Sequence, residues 1–234
     1  MKKLVSILSI VFILTSCGTG NLQYGAGIIA STFKADKVLV GKSFSADTQK
    51  GKVKSLTITL QNVEAIEKNG YPMDKVASVS AKLLIDNLKK EDIDDAEIVS
   101  VEIENKEQST KFNYKITDLI KMDEYFKIVR LYLNDIENKK YNQLVNYIDT
   151  TRISIAGNLR MIKAYQQIDS IIGQQGNIKI TGFNFTSVKA DTDLQVVETW
   201  AEMSSKQSVN QYRFRLNNDG KPIKILGIEI TSAQ

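Results

Sequence analysis

The chain of 234 residues contains no histidine, one cysteine and two prolines. Without an imidazole, Ser-His-Asp and Cys-His catalysis and histidine-ligated metal sites are excluded. The single cysteine, Cys17, permits neither an intramolecular disulfide nor a thiolate metal cluster. The low proline content and the thirteen glycines exclude a collagen-like or proline-rich stalk, and 42% hydrophobic residues argue against wholesale disorder. The sequence therefore predicts a globular protein that works without histidine chemistry.

The N-terminal segment has a basic start, a short apolar run and then a cysteine. Two lysines precede the uncharged residues 4–14, a run shorter than the roughly 20 residues of a membrane-spanning helix. These dimensions are typical of a signal peptide, here over residues 1–16. The stretch Leu14-Thr15-Ser16-Cys17 resembles the lipobox of bacterial lipoproteins. That resemblance implies cleavage before Cys17, a diacylglyceryl thioether on its sulfur and acylation of its new amino group.

A lipid on Cys17 predicts a partner, the membrane, and a location, the bacterial cell envelope. Stable anchoring needs at least two acyl chains, which a lipidated and N-acylated cysteine supplies. Gly18 stands where inner-membrane lipoproteins of enterobacteria carry aspartate, so the resemblance favours the outer membrane. The globular part is then expected in the periplasm or at the cell surface. The alternative is an ordinary secreted protein in which Cys17 is a free thiol.

The charge distribution argues against nucleic acid and metal ligands. The net charge is +4, and it falls to about +2 once the two leader lysines are removed, whereas nucleic-acid binding needs a dense basic face. Residues 91–97 are acidic, but an EF-hand loop starting at Asp92 would need Gly at 97 and Glu at 103. Glu97 and Ile103 occupy those positions, so a solvated loop is the better interpretation. We expect no nucleic acid, no metal and no cofactor.

The pattern of hydrophobic residues divides the mature chain into a tether and two α+β domains. Residues 17–30 contain four glycines and no charge, which predicts a lipidated flexible tether. Residues 31–117 show alternating strand-like runs on either side of one helix that begins near Pro72. This order predicts a small ββαββ domain.

Residues 118–234 have helices first and strands afterwards. Three helical stripes end near Asn138, Ile148 and Ile172, with Gly173 as the expected cap of the third. Four strand-like runs follow at 177–188, 193–204, 207–217 and 222–231, the last two joined by Asp219-Gly220. Shifts of apolar parity at Gly182 and at 225–226 predict bulges that curve the sheet.

Three helices followed by a four-strand meander resemble the cystatin-like cone of the nuclear transport factor 2-like superfamily. The resemblance implies a curved antiparallel sheet closed by helices. Superfamily members include isomerases, dehydratases and many proteins that only bind or dimerise. No catalytic motif of the superfamily is found in this sequence, and its frequent His-Asp dyads are excluded by composition.

The candidate binding residues lie in the second domain. A concave inner sheet face is expected to have an aromatic lining, which suits an apolar ligand or a side chain of a partner. Its predicted members are Tyr125, Tyr165, Phe183, Phe185, Trp200 and Tyr212. The alternative, which we favour for most of these rings, is that they pack together as core. Arg213 and Arg215 share one strand face, and they could grip a carboxylate or phosphate if Arg130 or Arg160 points into the same cavity. The alternative, which we favour, is that the two arginines lie on a solvated outer face.

Two acidic constellations suggest acid–base chemistry and also have structural explanations. Asp149 beside Tyr147 has the residue types of a general base site, but an aspartate there is also what a helix N-cap requires. Glu198 and Glu202 flank Trp200 on one strand face, as a catalytic pair or as an exposed strand. We favour the structural interpretation of the first and treat the second as open.

The sequence therefore predicts a membrane-anchored envelope lipoprotein that acts as a non-catalytic binding or assembly module. Its expected partner is an envelope protein or an apolar ligand. The alternative is a histidine-free acid–base enzyme, of isomerase or lyase type, in the C-terminal cone. A cystatin-type inhibitor is a third hypothesis, supported by the fold name alone.

Overall fold

The computed structural model describes most of the chain from Gly20 onward. The described ranges are 20–47, 51–94, 96–105, 108–152, 154–172, 176–189, 193–204, 209–219 and 222–233. The expected signal peptide, the lipidation site Cys17, the Gly173 cap and Gly220 of the last turn lie outside these ranges. The fold is mixed α+β, with two four-stranded sheets and several helices.

The chain divides into two compact units. The first runs to Tyr71 and resumes over Ser80–Thr117, and the second comprises Pro72–Val79 and Asp118–Gln234. One helix, Met73–Asp86, therefore supplies residues to both units.

The first unit is built on a sheet with strand order β1-β2-β3-β4, in which β2 and β3 are parallel and the outer pairs are antiparallel. Leu56, Ile58 and Leu60 are fully buried and pair in register with buried residues of β3, as expected for alternating strands. Its elements are α1 Gly20–Phe33, β1 Ala35–Asp47, β2 Gly51–Val63, α2 Glu64–Glu67, the second half of α3 Met73–Asp86, α4 Lys90–Ile93, β3 Ile98–Asn105 and β4 Gln108–Lys115.

The helix α1 corrects the expectation of a flexible tether for residues 20–30, while residues 17–19 lie outside the described ranges. Its buried residues are Gly25, Ile29 and Phe33, so one side of the helix packs into the first unit. A Cβ on Gly25 would lie 3.0 Å from Leu84 Cδ1, which shows how closely α1 approaches α3 there. The composition suggested a linker, but a glycine that permits close helix packing contributes to a core instead.

The second unit carries helices first and then an antiparallel meander in the order β5-β6-β7-β8. Both predicted bulges are confirmed: the register shifts between Ile180 and Gly182, and again where Leu216 pairs with Ile225. The elements are α5 Ile116–Glu137, a 3-10 helix Tyr141–Tyr147, α6 Ile155–Ile172, β5 Gly176–Lys189, β6 Asp193–Ser204, β7 Val209–Asn217 and β8 Ile225–Ala233.

Aromatic rings join α5 and α6 to the inner face of the second sheet. The Tyr132 ring lies edge-on to Phe214, with 5.6 Å between centroids, and to Tyr165, with 6.2 Å. The Tyr132 hydroxyl donates to the Tyr165 hydroxyl at 3.2 Å inside this core. Burial raises the pKa of both phenols above the ordinary range.

None of the helices in the described ranges combines the length and the apolar composition needed to cross a membrane.

Candidate functional site

The two faces of the second sheet have different chemistry. Tyr212, Phe214 and Leu216 point inward and are almost completely buried. Because successive side chains alternate across a strand, Arg213 and Arg215 point to the opposite, outer face. Trp200 pairs with Arg213 in register and shares that outer face.

An open pocket of about 230 Å³ lies on the outer face. Its lining combines a tryptophan, two cations, one carboxylate and several uncharged polar residues. The lining residues are Lys75, Thr181, Trp200, Ala201, Gln211, Tyr212, Arg213, Glu229 and Thr231. We call this the outer pocket.

Lys75 reaches the outer pocket because the first half of α3 belongs to the second unit. A Cβ on Gly182 would lie 2.9 Å from Lys75 Cγ, so the helix lies directly against the β5 bulge. The bulge also places the Phe183 amide within 3.3 Å of Ser78 Oγ, to which it donates a hydrogen bond. Because Gly182 has no side chain, Lys75 can lie directly against the bulge.

The ammonium of Lys75 is held over an aromatic ring. Its Nζ lies 4.8 Å from the Trp200 ring centroid, a cation–π geometry. Burial is the main cause that lowers the pKa of Lys75; Asp74 and Glu202 oppose the shift, and Arg213 adds to it. In the part of the chain that the structure describes, no carboxylate comes within ion-pair distance of this ammonium.

The two arginines are held by carboxylates of their own sheet. Arg213 Nη2 donates to both oxygens of Glu198, at 2.7 and 2.9 Å, and Arg215 Nε donates to Glu198 Oε1 at 3.1 Å. Each arginine also donates to Glu229, at 3.2 Å from Arg213 and 2.7 Å from Arg215. The hydrogen bonds to Glu198 are the main cause that raises the pKa of Arg213. Arg213 Nε, however, is buried without a hydrogen-bond partner.

The predicted binding residues divide into two groups: Tyr125, Tyr165 and Tyr212 lie in the core, whereas Trp200, Arg213 and Arg215 share the outer face. Tyr125, Tyr165 and Tyr212 are core residues, exposed by only 4%, 1% and 1%. The Tyr125 hydroxyl donates to Asn218 Oδ1 at 2.7 Å, and burial raises its pKa. Trp200 pairs with Gly182 across the bulge and lies on the outer face, not in the expected inner lining. Alternation along β6 separates the tryptophan from the tyrosines, and places it with Arg213 and Arg215.

The acid–base candidates near α6 have structural partners. Asp149 Oδ1 accepts hydrogen bonds from the Thr151 amide and hydroxyl, which makes a local turn. The expected capping by Asp149 is wrong, because α6 begins later and Ser154 Oγ accepts from the Gly157 amide. Tyr147 donates to Asp135 Oδ2 at 2.8 Å, and burial is the first cause that raises its pKa.

The remaining acidic candidates also have hydrogen-bond or ion-pair partners. Glu198 is only 7% exposed and serves the arginine pair, while Glu202 accepts from Gln211 at 3.5 Å. Asp92 in the acidic run accepts from Asn21 Nδ2 at 3.2 Å and faces Lys42 Nζ at 3.9 Å. A search of the described residues finds no group of three or more potential metal-ligating side chains.

The sequence patterns did not predict the two other charged residues of the outer pocket, Lys75 and Glu229. The sequence pattern predicts Lys75 on a helix of the other domain, and no local pattern links it to the strand residue Trp200. Glu229 could have been predicted on the same face as Arg213, because β8 alternates and the two residues pair in register.

Comparisons with known proteins add little to this site. No family model and no curated protein matches the chain. A solved structure, that of Bdellovibrio bacteriovorus Bd1075, is similar over 84% of this chain and 76% of its own, with 8% identity and a TM-score of 0.37. A likeness this slight carries no inference about fold or function.

Proposed function

We propose that this chain is a lipid-anchored protein of the bacterial envelope that binds a small carboxylate-bearing ligand in the outer pocket. The anchor is supported by the leader and by Leu14-Thr15-Ser16-Cys17. Binding is supported by the outer pocket, whose volume of about 230 Å³ suits a small molecule or one side chain of a partner.

The observation that carries the ligand class is the position of Lys75. Its ammonium is partly desolvated over Trp200, as its lowered pKa indicates. A carboxylate in the pocket would replace the lost solvation with a charge-assisted hydrogen bond. The guanidinium of Arg213, whose central carbon lies 5.8 Å from the Trp200 ring centroid, adds a second positive charge to the lining of the same pocket. The indole of Trp200 adds a flat apolar surface, so a carboxylate joined to a ring fits the lining best.

The same geometry supports binding over catalysis. Glu198 and Glu229 accept hydrogen bonds from Arg213 and Arg215, so both carboxylates are used as charge partners. An acid–base enzyme would use two titratable groups of separated pKa facing a substrate. We also propose that α5, the 3-10 helix and α6 close the second sheet as in a cystatin-like cone, because helices precede the strands and Tyr132 packs on Phe214.

A direct binding experiment tests the ligand class. Trp200 is the only tryptophan, so its emission and its indole N–H resonance report this pocket. Benzoate should shift both signals, and benzamide, its neutral isostere, should leave them unchanged. Lys75→Met should abolish the response to benzoate, while Lys179→Met, on a solvent-exposed residue of the same unit, should retain it. Equal responses to benzoate and benzamide would refute an anion site.

The anchor is tested separately by intact mass. The full chain, expressed in a bacterium that processes lipoproteins, should yield a product that begins at Cys17 with diacylglyceryl and acyl groups. Cys17→Ser should abolish the modification and release the protein from the membrane fraction. An unmodified thiol on a released protein would overturn the anchor and leave the outer-pocket proposal standing.

A further inference from the structure

The start of α1 lies close to the proposed lipid. Only three peptide steps separate Cys17 from Gly20, where the helix begins. Three residues span at most about 10 Å. If Cys17 is lipidated, as the proposed function holds, the first turn of α1 must therefore stay within about that distance of the lipid headgroups. The first unit then cannot stand away from the bilayer on a long tether.

The surface next to that first turn carries the two most exposed large hydrophobic side chains in the described ranges. Tyr24 is 65% exposed and Phe44 is 69% exposed. Asn21 and Tyr24 lie three residues apart, on one side of α1. The 14 residues of α1 include no charged side chain, so nothing on the helix opposes contact with an interface.

Contacts within the first unit connect the first turn of α1 to the part of β1 that carries Phe44. Asn21 Nδ2 donates to Asp92 Oδ2 at 3.2 Å, and Asp92 Oδ1 lies 3.9 Å from Lys42 Nζ. Lys42, Phe44 and Asp92 line one small hollow at this end of the sheet, together with Lys54. The two aromatic residues and the lysines thus belong to one end of the unit, next to the start of α1.

We propose that this end of the first unit, carrying Tyr24, Lys42, Phe44 and Lys54, docks on the lipid bilayer that holds the Cys17 anchor. Tyrosine and phenylalanine side chains favour the headgroup region, where an aromatic ring is buried and a hydroxyl stays hydrated. Lys54 beside them adds a positive charge that favours anionic headgroups, whereas the charge of Lys42 is shared with Asp92 at 3.9 Å. Because the anchor already holds the unit at the membrane, its high effective concentration lets even a small docking surface stay occupied.

Because Cys17 is the only cysteine of the chain, a single introduced cysteine can be labelled specifically. Lipidation uses Cys17, so Phe44→Cys and Tyr24→Cys each introduce the only free thiol of the full chain. After intact mass has verified the lipid, each variant is labelled with an environment-sensitive dye and placed in vesicles of phosphatidylethanolamine and phosphatidylglycerol. The control is Lys37→Cys, an exposed site on the same strand as Phe44. Brominated lipids should quench the dyes at 24 and 44 at least threefold more than the dye at 37.

Because an apolar dye can insert into the bilayer by itself, a second measurement uses the unlabelled chain. In vesicles, backbone amides of residues 20–26 and 42–46 should exchange with deuterium several-fold more slowly in the unlabelled chain than in the Tyr24→Ser, Phe44→Ser double variant. Both side chains are exposed, so the double variant should fold normally.

The outcomes separate the two proposals. A chain without lipid refutes the anchor, and the docking falls with it. A lipidated chain whose dyes at 24 and 44 are quenched no more than the dye at 37 refutes the docking alone. A dye response that depends on protein concentration and not on brominated lipid would assign the surface to a second copy of the chain, and would also overturn the docking.

Discussion

At the scale of single residues, Gly182 connects a sheet irregularity to the outer pocket. A side chain at position 182 would meet Lys75 Cγ at 2.9 Å and Lys75 Cα at 3.4 Å, so both the lysine stem and the α3 backbone would have to move. We expect Gly182→Ala to lower the free energy of unfolding by about 1–3 kcal/mol, the usual cost of overpacking. Urea unfolding followed by circular dichroism measures this loss.

Gly227 provides the matched control for this substitution. It lies on β8 of the same sheet, and a Cβ there would meet nothing within 4 Å. Gly227→Ala should therefore change stability by less than about 0.5 kcal/mol. Equal losses for both alanines would contradict the close approach of Lys75 to Gly182.

A second residue-scale prediction concerns the carboxylate that holds the arginine pair. Glu198 is 7% exposed and accepts hydrogen bonds from Arg213 and Arg215, whose side chains are 36% and 37% exposed. Glu198→Gln keeps the shape but removes the charge, and solvent partly screens the arginines. We expect a loss of about 1–2 kcal/mol, below the cost of breaking a fully buried pair.

The more exposed carboxylate of the same network is the control. Glu229 has a side chain that is 52% exposed, so Glu229→Gln should cost less than about 1 kcal/mol. Thermal unfolding of the two variants at low and at high salt compares them. If Glu229→Gln were the more harmful change, Glu198 would not be the centre of the network.

At the scale of elements, the packing of α5 on α6 and the sheet depends on two tyrosines whose pKa values are raised by burial. The unfolded chain releases these phenolic protons near the ordinary pKa of 10.0, whereas the folded chain retains Tyr132 and Tyr165 protonated to higher pH. Their contribution to stability is therefore complete below about pH 10 and is lost as the pH rises above it. We expect cooperative alkaline unfolding, with tyrosinate absorbance and loss of helix signal appearing together.

A pair of conservative variants tests the source of this alkaline unfolding. Tyr132→Phe keeps the ring contacts but removes one buried phenol, so stability should fall less steeply above about pH 10, despite a loss of about 1 kcal/mol at neutral pH from the missing hydrogen bond to Tyr165. Tyr24→Phe, at an exposed position, should leave the slope unchanged. An unchanged slope in Tyr132→Phe would assign the alkaline transition to other groups.

Elements dominated by local patterns were predictable, and elements placed by distant contacts were not. Alternation predicted the strands around Leu56 and Tyr212, and a change of parity located the bulge at Gly182. The glycines of α1 predict a flexible linker, whereas in the structure Gly25 permits close packing against Leu84. Such a contact spans 59 positions of the chain, and no sequence period records it.

In the candidate site, too, residues placed by local alternation were predictable, and residues placed by distant contacts were not. Alternation correctly separated Arg213 and Arg215 from the buried side of β7, and it could also have excluded Trp200 from the inner lining. Lys75 lies more than 100 positions before Trp200, so only the folded chain brings the ammonium and the indole together.

At the scale of the whole molecule, the division into units does not follow the order of the chain. Asp118–Gln234 forms the second unit together with the eight residues Pro72–Val79. The domain predicted over 118–234 therefore lacks Lys75, which lies over Trp200, and Ser78, which accepts the Phe183 amide. A fragment that is meant to retain the outer pocket should therefore include residues 72–79.

The last prediction concerns the fragment 118–234 expressed alone. Three helices and four strands bury a core of their own, so the fragment should keep an α+β circular dichroism spectrum. Without residues 72–79, however, the face of Trp200 that Lys75 covers is open to water, and the Phe183 amide loses its partner at the bulge. We expect Trp200 emission at longer wavelength than in the full chain, a lower urea midpoint and no response to benzoate. Full-length Lys75→Met, which keeps the helix, should show a smaller red shift and no benzoate response. A disordered fragment would mean that residues 118–234 cannot form the core alone. A fragment with the emission of the full chain would mean that α3 does not cover Trp200.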